Sequence, residues 1–247
     1  MCYRMNVAGL DRDLPICPVT DDLYIAGFVI FGDQELTVAC ARELLAKAPE
    51  YDYIITAEAK GIPLAHEMAR QAGDAKYILA RKGPKLYIAG FVIFGDQELT
   101  VACARDLLSR APEYDYIITA EAKGIPLAHE MARQAGDAKY ILARKGPKLY
   151  MRDIFSVSVN SITTAKEQKL YLDGADAALM KGKKILIVDD VISTGESLKA
   201  LEALVEQAGG EICGRMTILA EGDAISRDDL IYLEELPLFN PDGTVKG

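Results

Sequence analysis

The 247-residue sequence has no tryptophan, only 7% aromatic residues and no long apolar run. The apolar stretch from Tyr24 to Phe31 is far shorter than the roughly 20 residues that span a bilayer, so we expect no membrane partner. Basic residues are in the minority, with 28 Lys and Arg against 37 Asp and Glu and a net charge of −9. A strongly basic surface for nucleic acid is therefore excluded, and we expect no nucleic-acid partner.

The five cysteines include no Cys-x-x-Cys pair, so neither a zinc site nor a disulfide framework is indicated. The nucleotide-binding motif Gly-x-Gly-x-x-Gly and the Walker P-loop motif are also missing. The first residues, Met-Cys-Tyr-Arg-Met-Asn, lack the apolar stretch of a secretory signal. What is present, 50% hydrophobic and 26% charged residues, is typical of a globular protein. We therefore expect a cytoplasmic enzyme or binding protein.

An internal repeat occupies half of the chain. Residues 23–85, here called copy one, recur as residues 86–148, called copy two, with 60 of 63 positions identical. Removing one copy leaves a 184-residue parent. Two nearly identical copies between unique flanks indicate a tandem duplication rather than a solenoid, which needs more repeats and capping units. Every candidate residue inside the repeat consequently has two possible positions.

Hydrophobic periodicity predicts strands that alternate with helices. The predicted strands are Leu86–Phe94, Tyr114–Ala120, Lys139–Ala143, Ile154–Asn160, Lys169–Leu172, Lys184–Val188 and Thr217–Ala220, and the predicted helices are Glu98–Arg110, Pro126–Gln134 and Ser197–Gln207. Copy one repeats the pattern of copy two. This alternation predicts an α/β fold with a mostly parallel sheet flanked by helices. In such sheets ligands bind beyond the carboxyl ends of the strands.

Two consecutive carboxylates, Asp189 and Asp190, follow a continuous apolar strand and precede a turn rich in hydroxyl groups. The turn residues are Ser193, Thr194, Gly195, Glu196 and Ser197. A turn that opens a helix offers free N–H groups and the positive end of the helix dipole to an anion. Carboxylates beside it suit sugar hydroxyls or a divalent cation. The combination predicts a phosphorylated sugar as ligand.

These thirteen residues, Ile185 to Ser197, resemble the phosphoribosyl pyrophosphate (PRPP) signature of type I phosphoribosyltransferases at every position. The resemblance implies that Asp189 and Asp190 bind the ribose and that the turn binds the 5′-phosphate. It also implies Mg²⁺ as cofactor, held mostly through PRPP, with the two aspartates as possible ligands. The implied reaction transfers phosphoribose to a purine base.

A second segment, Glu121, Ala122, Lys123 and Gly124, resembles the pyrophosphate loop of adenine phosphoribosyltransferases, with lysine in place of arginine. In the family this loop often contains a cis peptide, which we expect at Ala122–Lys123. A third segment, with Arg144, Lys145 and Lys148, resembles cations that contact pyrophosphate. The copy-one equivalents of these residues are Glu58, Ala59, Lys60, Gly61, Arg81, Lys82 and Lys85.

The sequence leaves more than one purine base open as the acceptor. The pyrophosphate loop favours adenine, but residues 156–168, which resemble the loop that closes over the reaction centre, lack the Glu-Tyr-Gly pattern of adenine enzymes. Xanthine or guanine is the alternative base. A PRPP-binding regulator without catalysis is the alternative function, which the missing DNA-binding segment disfavours.

Four segments describe the expected organisation: a hood segment at 1–22, an extra copy at 23–85, a phosphoribosyltransferase core at 86–220, and a hood or tail at 221–247. Copy two is expected in the core because it leads directly into the downstream strands. Copy one would then carry a spare loop and uncovered apolar faces, which favour a homodimer. His66 and His129 are predicted on a helix surface.

Overall fold

The computed structural model describes residues 2–73, 77–80, 95–159, 168–238 and 245. The first half of these ranges contains β1 (Cys2–Val7), β2 (Leu10–Pro18), β3 (Tyr24–Ala26), α1 (Gln34–Leu45), β4 (Ile55–Ala57), α2 (Ile62–Ala72) and β5 (Ile78–Ala80). The second half contains α3 (Gln97–Arg110), β6 (Tyr116–Ala120), α4 (Ile125–Ala135), β7 (Ile141–Ala143), β8 (Phe155–Val159), β9 (Gln168–Leu172), α5 (Gly174–Met180), β10 (Lys184–Ile192), α6 (Glu196–Gln207), β11 (Glu211–Glu221) and β12 (Ile231–Leu236). The predicted strand Leu86–Phe94 lies outside the described residues.

A five-stranded sheet of order β12-β11-β10-β6-β7 forms the centre, and all its neighbouring strands are parallel. β10 lies in the middle because its apolar run is buried on both faces. Ile185 and Ile187 pack towards α6, β8 and β9, whereas Leu186 and Val188 pack towards α3 and α4. The predicted α/β fold is confirmed. Within the described ranges, no helix combines the length and apolarity needed to cross a bilayer.

The two copies form the same local elements but enter the fold differently. Copy two contributes β6 and β7 to the central sheet, whereas β4 and β5 of copy one form a separate parallel pair. Ile118 in β6 is therefore fully buried, while the equivalent Ile55 in β4 is 66% exposed. The same sequence thus reaches two different degrees of burial, because only one copy pairs with β10.

The copies also pack on each other through α2 and α4. His66 and His129 meet there with ring centroids 6.0 Å apart, and both side chains are 0% exposed. The prediction of surface histidines is therefore wrong. The reason is tertiary: each helix is covered by its repeat, which the local pattern of one helix does not reveal.

The N-terminal strands β1, β2 and β3 form an antiparallel sheet of their own. Arg12 in β2 ties this sheet to α1, since its guanidinium donates to Asp33 Oδ2 at 2.6 Å and to Glu35 Oε2 at 2.8 Å. At the other end of the chain, β12 pairs with β11 in the central sheet. The sheet consequently extends past residue 220, where the sequence analysis places the end of the core.

Candidate active site

The candidate site is a cavity of about 470 Å³ at the carboxyl ends of β6 and β10. Its lining from copy two and the chain downstream comprises Ala120, Glu121, Ala122, Lys123, Lys145, Gly146, Lys148, Leu170, Asp189, Asp190, Val191 and Ser197. The volume is typical of a pocket for a small ligand, roughly 300–1,000 Å³. The parallel topology brings these distant segments together, because parallel strands end at the same edge of the sheet.

The two aspartates give the cavity its acidic side. Asp190 is 3% exposed, and within the described part of the chain its Oδ2 has no hydrogen-bond partner. Its N–H donates to Asp189 Oδ1 at 2.9 Å. Burial, and then the charge of Asp190, raise the pKa of Asp189 well above its usual value. An unsatisfied buried carboxylate is stabilised by a ligand that brings hydroxyl groups or positive charge.

Lys123 is a basic group close to this pair. Its Nζ lies 4.0 Å from Asp190 Oδ2. Burial raises the pKa of Asp190, and the charge of Lys123 acts in the opposite direction. Because the Lys123 side chain is 48% exposed, its ammonium group can also reach a ligand in the cavity.

The loop that carries Lys123 touches the aspartates at Gly124. A Cβ atom at Gly124 would lie 2.1 Å from Thr119 Oγ1 and 2.9 Å from Asp189 Oδ1, so only glycine fits. The cis peptide of this loop is Glu121–Ala122, one residue before the predicted position. α4 begins directly after Gly124, which places its positive N-terminal end beside the cavity.

The turn after β10 leads into a second helix N-terminus. Gly195 has a φ of +75°, a left-handed conformation that favours glycine, and it caps α6. Ser197 in the first turn of α6 lines the cavity, whereas the turn residues Ser193, Thr194, Gly195 and Glu196 lie next to it and do not line it. Two helix N-termini, of α4 and α6, therefore adjoin one cavity, an arrangement that binds phosphate groups.

The family model for the phosphoribosyl transferase domain matches residues 95–234, more than half of the chain. The chain belongs to the phosphoribosyltransferase family. The matched range contains most of copy two and every downstream residue of the cavity, so the resemblance stated from the sequence is confirmed.

Similar proteins of this family are purine phosphoribosyltransferases. A hypoxanthine/guanine phosphoribosyltransferase of Methanococcus voltae is 33% identical over 141 residues, which cover 56% of this chain and 70% of the relative. That of Methanothermococcus okinawensis is 37% identical over 111 residues, 45% of this chain and 56% of the relative, so the chain spans only about half of its length. Among solved structures, adenine phosphoribosyltransferase of Thermoanaerobacter pseudethanolicus has a TM-score of 0.49 and 22% identity over 58% of this chain and 88% of that protein. The prediction of a purine phosphoribosyltransferase is confirmed at the level of the family.

One predicted phosphoribosyltransferase site residue, Arg144, does not reach the cavity. Its side chain is 2% exposed, with Nε 3.2 Å from Glu121 Oε2 and the guanidinium 4.6 Å from the centre of the Phe31 ring. Its Nη1 also donates to Tyr150 Oη at 3.2 Å. Arg144 directly follows β7, where successive side chains point to opposite sides, so Arg144 turns inward and Lys145 is exposed. Arg144 therefore fixes Glu121 and its loop.

Copy one reaches the cavity too, a contribution that is not among the predictions from the sequence. Glu58 and Ala59 line it, whereas Lys60 and Gly61 border a separate cavity of about 200 Å³. The other copy-one candidates, Arg81, Lys82 and Lys85, lie outside the described residues. No local motif could reveal this contribution, because it depends on how the two copies pack.

Proposed function

We propose that the chain transfers the 5-phosphoribosyl group of PRPP to a purine base in purine salvage. The supporting observation is that Asp189, Asp190 and three lysines line one cavity at the sheet edge. In this reaction a bond forms between a purine nitrogen and C1 of the ribose. The bond from C1 to the pyrophosphate oxygen breaks, pyrophosphate leaves with the electron pair, and the purine nitrogen gives up its proton.

The aspartates bind the ribose in this proposal. Asp190 Oδ2 is buried and lacks a hydrogen-bond partner in the described ranges, so it can accept from a ribose hydroxyl. Asp189, fixed by its contact with the Asp190 N–H, orients the sugar beside it. In the transition state the ring gains oxocarbenium character, and nearby carboxylates stabilise that positive charge.

The lysines bind the leaving group. Lys123, Lys145 and Lys148 border the same cavity, and their charges stabilise the pyrophosphate as its negative charge grows. Ser197 and the N-terminal end of α6 bind the 5′-phosphate. Because the 5′-phosphate is remote from the reacting C1 atom, its binding orients the sugar for attack. The loop expected from the sequence to close over the reaction centre spans residues 156–168, of which 160–167 lie outside the described residues.

The residues fit a magnesium ion bound together with PRPP. Mg²⁺ in phosphate sites is held by one or two carboxylates together with the substrate's phosphate groups. Asp190, whose Oδ2 lacks a hydrogen-bond partner among the described residues, and the adjacent Asp189 supply two such carboxylates. In the part of the chain that the structure describes, no three His, Cys, Asp or Glu side chains are arranged to hold a metal alone. When bound, Mg²⁺ supplies positive charge to the pyrophosphate oxygens.

Two bases are candidates. The pyrophosphate-loop resemblance favours adenine. The relatives named hypoxanthine/guanine phosphoribosyltransferases, at 33% and 37% identity, favour a 6-oxopurine. The homodimer and the cytoplasmic location predicted from the sequence stay predictions.

The test is a screen of adenine, guanine, hypoxanthine and xanthine with PRPP and Mg²⁺, followed by pyrophosphate release. At least one base should give turnover, and Asp189→Asn should abolish it. Asp223→Asn removes an exposed carboxylate in the short 3₁₀ helix after β11, Gly222–Ser226; it is the matched control and should keep full activity. Saturable PRPP binding without release from any base would contradict the enzymatic proposal and indicate a non-catalytic PRPP-binding protein.

A further inference from the structure

The contacts between the copies are reciprocal. His66 Nε2 of copy one lies 3.7 Å from Glu130 Oε2 of copy two, and His129 Nε2 lies 3.6 Å from Glu67 Oε2. All four side chains are 0% exposed. Residue n of copy one corresponds to residue n + 63 of copy two, so His66 is equivalent to His129 and Glu67 to Glu130. The two contacts therefore join the same pair of positions in opposite directions. Such reciprocal pairs characterise an interface with twofold symmetry.

Two backbone hydrogen bonds between the copies are reciprocal in the same way. The Tyr140 N–H donates to Gly32 O at 3.0 Å, and the Tyr77 N–H donates to Gly95 O at 3.1 Å. Both bonds run between copies. A Cβ atom at Gly32 or Gly95 would lie 2.4 Å from the carbonyl oxygen of the opposing tyrosine. Both positions therefore require glycine for the same reason.

An apolar cluster lies between the two pyrophosphate-type loops. Its buried members are Phe31, Ile62, Ile125 and Leu142, with Val29, Ala59, Leu79 and Ala122 packed against them. Three of its pairs are equivalent positions of the two copies, Ile62 with Ile125, Leu79 with Leu142, and Ala59 with Ala122. The cluster therefore holds the copy-one loop against the copy-two loop that carries Lys123.

This packing carries the copy-one loop to the candidate site. Ala59 belongs both to the apolar cluster and to the lining of the 470 Å³ cavity, and Glu58 lines the cavity beside it. The same cavity contains Lys123, Lys145 and the two aspartates. A carboxylate at Glu58 therefore adds negative charge to a wall that faces the proposed pyrophosphate subsite.

We propose that copy one acts as a built-in partner subunit, whose Glu58 and Ala59 form a wall of the pyrophosphate subsite and set its affinity. This inference rests on the proposed function. Glu58 repels the phosphate charge, so it weakens pyrophosphate binding and favours product release. The effect is electrostatic and depends on distance, because exposed charges are screened beyond about 8–10 Å at physiological salt.

The test is a charge series in the full-length protein, with metal-free inorganic pyrophosphate as the probe in isothermal titration calorimetry. Glu58→Gln should lower the pyrophosphate Kd about threefold or more, and Glu58→Lys should lower it further. The matched controls are Glu50→Gln and Glu50→Lys, which make the same charge changes at an exposed copy-one residue that does not line the cavity. Their Kd should stay within about twofold of wild type. Thermal unfolding checks that all four variants are folded.

The pyrophosphate titrations have three outcomes that would contradict the role of Glu58. No pyrophosphate binding by the wild-type protein would overturn the inference, whereas the proposed function is overturned only by the base screen with PRPP and Mg²⁺. Wild-type binding with an unchanged Kd in both Glu58 variants would overturn the inference alone. Equal gains in the Glu50 and Glu58 series would overturn it as well, because the effect would then reflect net charge and not a wall of the site.

Discussion

Gly61 and Gly124 occupy the same position of the repeated loop, yet they meet different surroundings. A Cβ atom at Gly61 would lie 1.8 Å from Thr56 Oγ1, and one at Gly124 would lie 2.1 Å from Thr119 Oγ1. Gly124 alone of the two also approaches a carboxylate, Asp189 Oδ1 at 2.9 Å. The local fit of the loop is therefore shared, while the contact with the aspartates belongs to copy two.

Alanine at these two positions separates stability from binding. Gly61→Ala and Gly124→Ala should each destabilise the protein by about 1–3 kcal/mol, because both crowd a threonine hydroxyl. Gly124→Ala should in addition weaken PRPP binding at least tenfold, since it displaces Asp189. Thermal unfolding and calorimetric titration with PRPP measure the two effects. An equal loss of PRPP affinity in both variants would contradict this assignment.

Individual site residues could be predicted where local sequence fixes their position. Asp189 and Asp190 follow the apolar run Ile185–Val188 within β10, so their place near the carboxyl end of this strand follows from the chain itself. Arg144 could not be assigned in this way. Whether a cation beside Lys145 faces the cavity or the interior depends on Glu121, Tyr150 and Phe31, which approach from other segments.

At the scale of elements, the two loop-to-helix units provide an internal comparison. Lys123 lines the candidate site 4.0 Å from Asp190, whereas Lys60 borders the smaller cavity that also contains Phe28 and Leu64. Lys123→Ala should weaken PRPP binding about tenfold or more, because a charged partner is lost. Lys60→Ala should leave the Kd within about twofold. The opposite result, with binding lost only in Lys60→Ala, would show that the copy-one lysine, and not Lys123, binds the pyrophosphate.

Elements with a strong periodic pattern could be predicted from the sequence. α3, α4 and α6 begin and end within about one residue of their predicted bounds, since their apolar positions and caps are local. β12 and the β1–β2 hairpin were not predicted. Their stability depends on pairing with β11 and on Arg12 contacts with α1, and neither is visible in a short window.

For the whole molecule, the interface between the copies should make stability depend on pH. Burial lowers the pKa of His66. Below about pH 6.5 the His66 imidazole therefore binds a proton in the unfolded chain but not in the folded chain. Folding stability should therefore fall as the pH decreases through this range. Burial raises the pKa of Glu130, but hydrogen bonds from Arg133 and Gln134, together with the nearby His66, outweigh it and bring the pKa to about 2. Its stabilising contribution is lost as the pH falls from about 4.5 towards 2.

Urea unfolding of wild type and His66→Gln at pH 7.5 and 5.5 measures the first effect. The raised pKa of Asp189 gives the opposite slope, but it acts equally in both proteins, so the difference between them isolates His66. Wild type should lose up to about 1.4 kcal/mol per pH unit relative to the variant below pH 6.5. Parallel slopes in the two proteins would contradict the expectation.

The reciprocal contacts also bear on how this chain can diverge. In a homodimer every substitution at a twofold interface appears on both sides at once, so a change that suits one side must suit the other. Here the two sides are encoded separately, and His66 or Glu67 can change while His129 and Glu130 stay as they are. The three differences between the copies, Glu43/Asp106, Ala46/Ser109 and Lys47/Arg110, are all outside these pairs. One half is thus free to specialise in catalysis and the other in support, as the subunits of a heterodimer do.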